Sequence, residues 1–134
     1  MSNQHRSNES QTNLGAIEIS PDVIETISGI ALSEVEGVIG TAGNWSSELN
    51  ELFGQPAHKK GVYLTKDEHN ENLHVDVYIY LRLGTSVPKV VLKIQEHVKA
   101  QVLHMTDIEI SEVNVHIVNL VDEKALKAKK VAEA

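Results

Sequence analysis

The hydrophobic positions between residues 84 and 120 follow two different periods in succession. In the first half, apolar residues recur every three or four positions, which places them on one side of an α-helix; these are Val87, Val91, Ile94, Val98, Val102 and Met105. In the second half, apolar and polar residues alternate, which is the period of a half-buried strand; the apolar members are Val113, Val115 and Ile117. The stretch therefore predicts a long amphipathic helix that leads directly into a strand.

A second alternating pattern precedes this helix. Residues 62–66 and 73–83 flank a charged, turn-forming loop, which predicts a β-hairpin with a longer connection. In the second strand every other residue is apolar, so one face belongs to the core. The opposite face is predicted to be a wet or contact surface, and it carries His74, Asp76, Tyr78, Tyr80 and Arg82.

The N-terminal third predicts a strand, a helix and another strand. Residues 14–19 alternate weakly and suit an opening strand. Ser20, Pro21 and Asp22 are typical of a helix start, because they offer a cap, a first-turn proline and a charge that complements the dipole. The helix is expected to bury Val23, Ile24, Ile27, Ile30 and Ala31, with Leu32 projecting to the far side. A strand over residues 35–41 and a short helix over residues 44–54 follow.

The order of elements is thus β-α-β, a short helix, then β-β-α-β. Helices with one apolar stripe and strands with one apolar face pack as a two-layer α+β sandwich, with both long helices on one face of a mixed sheet. We expect a single domain over residues 14–120. Residues 1–13 are polar and predict a disordered tail, and residues 121–134 predict a flexible, lysine-rich tail.

Charge and composition exclude several classes of protein. Residues 14–120 hold fifteen acidic residues against seven Lys and Arg within a chain of net charge −7, and an acidic domain repels nucleic acid. Cysteine is absent, which removes thiolate metal sites and cysteine nucleophiles. No apolar run reaches the ~20 residues of a membrane span, and residues 1–13 do not resemble a secretory signal. We therefore expect a cytoplasmic protein.

Candidate chemistry is sparse. His74, Asp76 and His116 would converge on a divalent metal if their strands were neighbours, although polar residues on a solvated sheet face give the same pattern. Glycines at 37, 40 and 43 lack the Lys-Ser/Thr pair of a phosphate loop. The sequence predicts no catalytic set and no cofactor.

Apolar and aromatic residues outside the core pattern favour contact between proteins. Leu32, Leu92 and Leu103 form a candidate self-association patch, and Tyr78, Tyr80 and Arg82 form a second candidate surface. The lysine-rich C-terminal segment is either a solvated tail or a helix that binds a partner or a membrane.

Several blocks of the chain resemble one family when they are taken in order. LGAIEISPDVIETISGIALSEVEGV (residues 14–38), FG (53–54) and KGV (60–62) are followed by SVPKVVLKIQEHVKAQV (86–102) and MTDIEISEVNVHIVNL (105–120). Together they are similar to the bacterial alkaline-shock, or Gls-type general stress, proteins, and look closest to the branch encoded beside acetyl-CoA carboxylase subunits.

The resemblance implies a small cytoplasmic, non-enzymatic protein tied to envelope stress or to control of fatty-acid synthesis. It implies protein partners, such as acetyl-CoA carboxylase subunits or a membrane-anchored protein, and self-association into a homo-oligomer. It supplies no catalytic residues. SEVEGV (33–38) and VNVHIV (113–118) are mostly explicable as determinants of the fold, and the longer hairpin around residues 71–72 departs from the family pattern.

Overall fold

A computed structural model describes residues 14–41 and 61–125 of the chain. These residues form two long helices and four strands. In chain order the elements are α1 (Pro21–Ser33), β1 (Val38–Thr41), β2 (Val62–Lys66), β3 (Leu73–Arg82), α2 (Val87–Thr106) and β4 (Glu112–Val121). The short helix predicted over residues 44–54 lies outside the described residues.

Strand β3 is the centre of a mixed four-stranded sheet. Strand β4 pairs with it in parallel along one side. On the other side β2 and β1 pair with it antiparallel, β2 along its first half and β1 along its second. The register shifts on either side of Tyr80, because Val118 of β4 is inserted just before the partner of Tyr80 and Ile39 of β1 is inserted just beside it. These two bulges change which residues the outer face presents.

Both helices cover the same face of this sheet, which confirms the predicted two-layer α+β arrangement. The core joins apolar residues of the two helices to the inner faces of the strands. Val75, Val77, Ile79 and Leu81 of β3 are fully buried, as their alternation predicts.

Helix α1 turns a different arc towards the core than predicted. The buried apolar residues are Ile24, Ile27, Ala31 and Leu32, and Leu32 is 0% exposed, whereas Val23 and Ile30 are exposed. The arc also contains the buried Ser28, whose hydroxyl donates to the Ile24 carbonyl oxygen at 2.8 Å. Because this bond satisfies the hydroxyl inside the core, a polar residue occupies the centre of the buried arc, and the sequence pattern pointed to the wrong side. The placement of Leu32 on a self-association patch is therefore wrong.

Helix α2 is confirmed, with small corrections to its stripe. Its buried residues are Val90, Ile94, Val98 and Val102, which repeat every four positions. Met105 is exposed, because a strict four-residue repeat drifts around the helix and carries the stripe away from it. The helix ends at Asp107, which adopts a left-handed backbone with φ of 63° and donates its N–H to the Leu103 carbonyl oxygen at 2.9 Å.

The opening strand predicted over residues 14–19 is not formed. These residues are extended without strand pairing, and Leu14 is 92% exposed. Only Ile19 packs against the core. The alternation of Ile17 and Ile19 therefore reflects a single anchoring residue at the entrance to α1, because a strand also needs a partner edge.

Candidate interaction surfaces

The outer sheet face, meaning the face of the sheet opposite the helices, carries an aromatic row that crosses three strands. The Tyr63 ring of β2 meets the Tyr78 ring of β3 edge to face, at 5.8 Å between centroids. The other side of Tyr78 stacks on the imidazole of His116 in β4, at 4.4 Å and 11° between planes. Strand register produces this row directly, because Tyr78 and His116 are cross-strand neighbours.

Carboxylates hold both histidines of this face, and each histidine has its own partner. His116 Nε2 lies 3.3 Å from Asp76 Oδ1. His74 Nδ1 lies 2.9 Å from Glu112 Oε2, and its Nε2 lies 3.7 Å from Asp67 Oδ2. These are partly exposed pairs that link neighbouring strands.

The proposed metal site of His74, Asp76 and His116 is not assembled. Tyr78 is the partner of His116, four residues along β3 from His74, and four strand residues span about 13 Å. The two imidazoles therefore cannot share one ion. Within residues 14–41 and 61–125, no group of three or more His, Asp or Glu side chains is placed to hold a metal. The sequence grouped these residues correctly on one face, but the parallel register separates them.

Tyr80 is not part of the outer contact surface. It is 1% exposed and packs with Val121, Ile39 and Tyr78 in a small second core. Burial raises the pKa of the Tyr80 hydroxyl above its usual value of about 10. The prediction that Tyr80 is available to a partner is wrong, because the two bulges that flank it help to build an apolar cluster around it. Tyr78 stays half-buried on the face.

Arg82 marks the rim of the sheet and joins two carboxylates. Its Nη2 lies 3.7 Å from Glu36 Oε1, and its Nη1 lies 3.6 Å from Glu123 Oε1. The guanidinium therefore ties the turn between α1 and β1 to the residues that follow β4, and its side chain is 40% exposed.

The α2 outer line, which consists of Leu92 and Leu103, is exposed as predicted. The two side chains are 57% and 43% exposed. They are eleven residues apart, which is close to three helical turns and about 16 Å along one side of α2. The Gln95 amide between them donates to the Val113 carbonyl oxygen at 3.1 Å and fixes the helix to β4. The line is therefore held on a rigid support.

Two grooves flank α2, and the one at its C-terminal end is called here the far groove. It encloses about 950 Å³ beside Leu103, between the hairpin loop and the α2–β4 connection. Its acidic residues are Glu71, Asp107 and Glu109, and Lys99 also lines it.

The other groove, called here the near groove, lies between the C-terminal end of α1 and the middle of α2. It encloses about 520 Å³, and its lining is Glu34, Val35, Glu36, Lys93, Glu96, His97 and Ala100. His97 Nε2 lies 2.7 Å from Glu34 Oε1 and bridges the two helical elements. The sequence analysis missed this groove. The acidic run of residues 34–36 and the outward position of His97 were its only signals, and neither predicts that the two meet.

These features define a class of protein: a small α+β domain whose described part presents contact surfaces on both layers, with no helix able to cross a membrane among the residues described. The sequence matches the model of the alkaline shock/Gls24 family over residues 9–121, and the chain belongs to this family, which is described by a cell envelope-related function. The match confirms the resemblance to the alkaline-shock and Gls-type proteins.

Individual relatives agree with the family assignment. The chain is 43% identical to YqhY of Bacillus subtilis (strain 168) over 109 residues, which cover 81% of this chain and 79% of YqhY. It is 40% identical to Spy1535 of Streptococcus pyogenes serotype M6 over 114 residues, 85% of each chain. A stress response regulator gls24 homolog of Streptococcus pyogenes serotype M3 is 29% identical over 88% of this chain and 65% of its own length.

Among solved structures, a variant of the MamM CTD aligns with 75% of this chain and 95% of its own, at a TM-score of 0.44 and 16% identity. This likeness is too distant to carry an argument about function or assembly. The family assignment therefore rests on the sequence matches, and it supports a role in the stress response of the cell envelope.

Proposed function

We propose that the protein is a non-enzymatic cytoplasmic scaffold or regulator that acts by contact with other proteins, in envelope stress or in control of fatty-acid synthesis. The observation that carries the proposal is the α2 outer line. Two large leucines stand in water on one side of a rigid helix, in a chain whose family has an envelope-related function. Exposed apolar residues on a fixed support are typical of association sites.

The line supports self-association or binding of a partner in the same way. Leu92 borders a smaller groove against β4, together with Gln95, Glu96 and Ser111, and Leu103 borders the far groove. A partner side chain that packed on either leucine would therefore also enter a recess, which is how anchoring residues bind in protein interfaces. Candidate partners are acetyl-CoA carboxylase subunits, a membrane-anchored protein or a second copy of this chain.

The outer sheet face supports a second, weaker contact. Tyr78 and Arg82 are partly exposed there, and such side chains are enriched in interfaces. The aromatic row fixes Tyr78 in place, so little conformational entropy would be lost on binding.

The test uses purified protein and one matched control. Leu92→Glu and Leu103→Glu are compared with Met105→Glu, which changes an exposed apolar residue of the same helix on a different side. Sedimentation at increasing concentration measures self-association, and titration calorimetry with purified acetyl-CoA carboxylase subunits measures partner binding. We expect association that the two leucine variants weaken at least tenfold and that the Met105 variant retains. A chain that stays monomeric and binds no carboxylase subunit, or binding indifferent to both leucines, would contradict the proposal.

A further inference from the structure

The described chain ends beside the near groove. After β4, the Asp122 carboxylate accepts a hydrogen bond from the Lys124 N–H at 3.0 Å, and Glu123 is held by Arg82. The same guanidinium holds Glu36, which is a lining residue of the near groove. The last described residue, Ala125, is thus two positions from a side chain that shares its ion partner with the rim of this groove.

The charges of the groove and of the segment that follows are complementary. The near groove carries the carboxylates of Glu34, Glu36 and Glu96 against the single ammonium of Lys93, with His97 paired to Glu34. The sequence from residue 124 to residue 134 contains four lysines and one acidic residue. Val35 and Ala100 supply apolar lining, and Leu126 and Val131 of the segment could pack on such a lining.

We propose that residues 126–134, called here the tail segment, bind in cis in the near groove of their own chain, with the lysines of the segment against Glu34, Glu36 and Glu96. Glu96 also lines the smaller groove beside Leu92. A tail segment in the near groove therefore covers one flank of the α2 outer line. Its release exposes that flank, so that the segment acts as an internal regulator of access to α2.

Reach decides between the two acidic grooves. The far groove includes Ser111, next to the first residue of β4, while the tail segment follows the last residue of β4. The strand has ten residues and spans about 30 Å. Nine residues reach at most about 30 Å when fully straight, so a cis contact with the far groove would require a chain stretched to its limit. The near groove begins at the exit point.

A spin label tests the contact without disturbing the folded part. The chain contains no cysteine, so Ala132→Cys provides a single attachment site in the tail segment. Broadening of backbone amide signals is measured in nitrogen-labelled full-length protein. We expect strong broadening at Ala100 and at Val35 and little at Glu109. Broadening should fall sharply near 1 M salt, where the screening length shrinks to about 3 Å.

Two matched double variants separate charge recognition from proximity. Glu36→Lys with Glu96→Lys should abolish the broadening at Ala100. Glu71→Lys with Glu109→Lys adds the same charge at the far groove and should leave the broadening unchanged. Equal loss in both variants, or broadening confined to the far groove, would overturn the proposal.

A mixed sample separates cis from trans binding. Spin-labelled protein without nitrogen label is combined with nitrogen-labelled protein that carries no spin label. We expect no broadening at Ala100 in this mixture. Broadening there would show that the segment binds a second copy, and would overturn the cis proposal while leaving the α2 outer line to be judged by its own variants.

Discussion

The Glu25 carboxylate of α1 accepts a hydrogen bond from the backbone N–H of Leu64 in β2, at 2.8 Å. Strand β2 is hydrogen-bonded to β3 on one side, and this bond places a helix side chain on a backbone donor of the strand. An exposed strand edge invites pairing with other chains, so the carboxylate both fixes α1 to the sheet and occupies the edge of β2.

Removal of this carboxylate is expected to destabilise the protein. Glu25 is buried, and hydrogen bonds to charged groups contribute about 1.5–3 kcal/mol. Glu25→Ala should therefore lower the free energy of unfolding by about 2 kcal/mol, while Glu25→Gln, which keeps an acceptor oxygen, should cost less. Urea unfolding measures both, with Glu18→Ala as the exposed control. An alanine variant as stable as that control would show that the bond contributes little.

Zinc should not stabilise the protein through the outer sheet face. A metal bound at one hundred times its Kd adds about 2.7 kcal/mol, which a thermal unfolding scan detects. Because the register separates His74 from His116, we expect the same response to zinc and to EDTA in the wild type and in His116→Ala. A zinc-dependent rise in Tm that His116→Ala removes would restore the three-residue metal site.

The burial of Tyr80 predicts a loss of stability at alkaline pH. Burial raises the pKa of its hydroxyl above that of the unfolded chain, so the folded state retains a proton that the unfolded state releases. Below about pH 10 the phenol is neutral in both states. As pH rises through the unfolded pKa towards the folded pKa, the free energy of unfolding falls by up to about 1.4 kcal/mol for each pH unit.

The measurement is urea unfolding between pH 8 and pH 12, with Tyr80→Phe as the comparison. The phenylalanine variant removes the hydroxyl and its contacts, so a constant offset at all pH values is expected and carries no information about titration. The difference in slope above pH 10 is the result that counts. Parallel curves for the two proteins would mean that Tyr80 titrates alike in both states.

The sequence predicted the residues that depend on a simple period and missed those that depend on a partner. The alternation of β3 and the stripe of α2 followed from residue type alone. The burial of Leu32 could not, because Ser28 sits in the buried arc and is accommodated by a hydrogen bond to Ile24. Tyr80 required knowledge of the two bulges that flank it in the neighbouring strands. The near groove depends on the packing of α1 against α2, which no local pattern encodes.

Gly37 illustrates this difference and provides the last prediction. Its backbone has φ of 99°, and an added Cβ would lie 2.8 Å from Thr85 Cγ2 and 3.2 Å from Val90 Cγ2. Gly84 has the same φ of 99° but has nothing within 4 Å of its Cβ position. Both positions strain any other residue, at about 1–2 kcal/mol, and only Gly37 also meets a packed neighbour.

We therefore expect Gly84→Ala to cost about 1–2 kcal/mol and Gly37→Ala to cost more, since overpacking adds about 1–3 kcal/mol. Thr85→Ser removes the clashing methyl and keeps the hydroxyl that donates to the Arg82 carbonyl oxygen. In the Gly37→Ala background this second change should recover part of the loss, and in the Gly84→Ala background it should recover none. Equal costs for the two alanines, with no rescue by serine, would show that left-handed backbone strain alone explains the glycine at the end of the SEVEG turn.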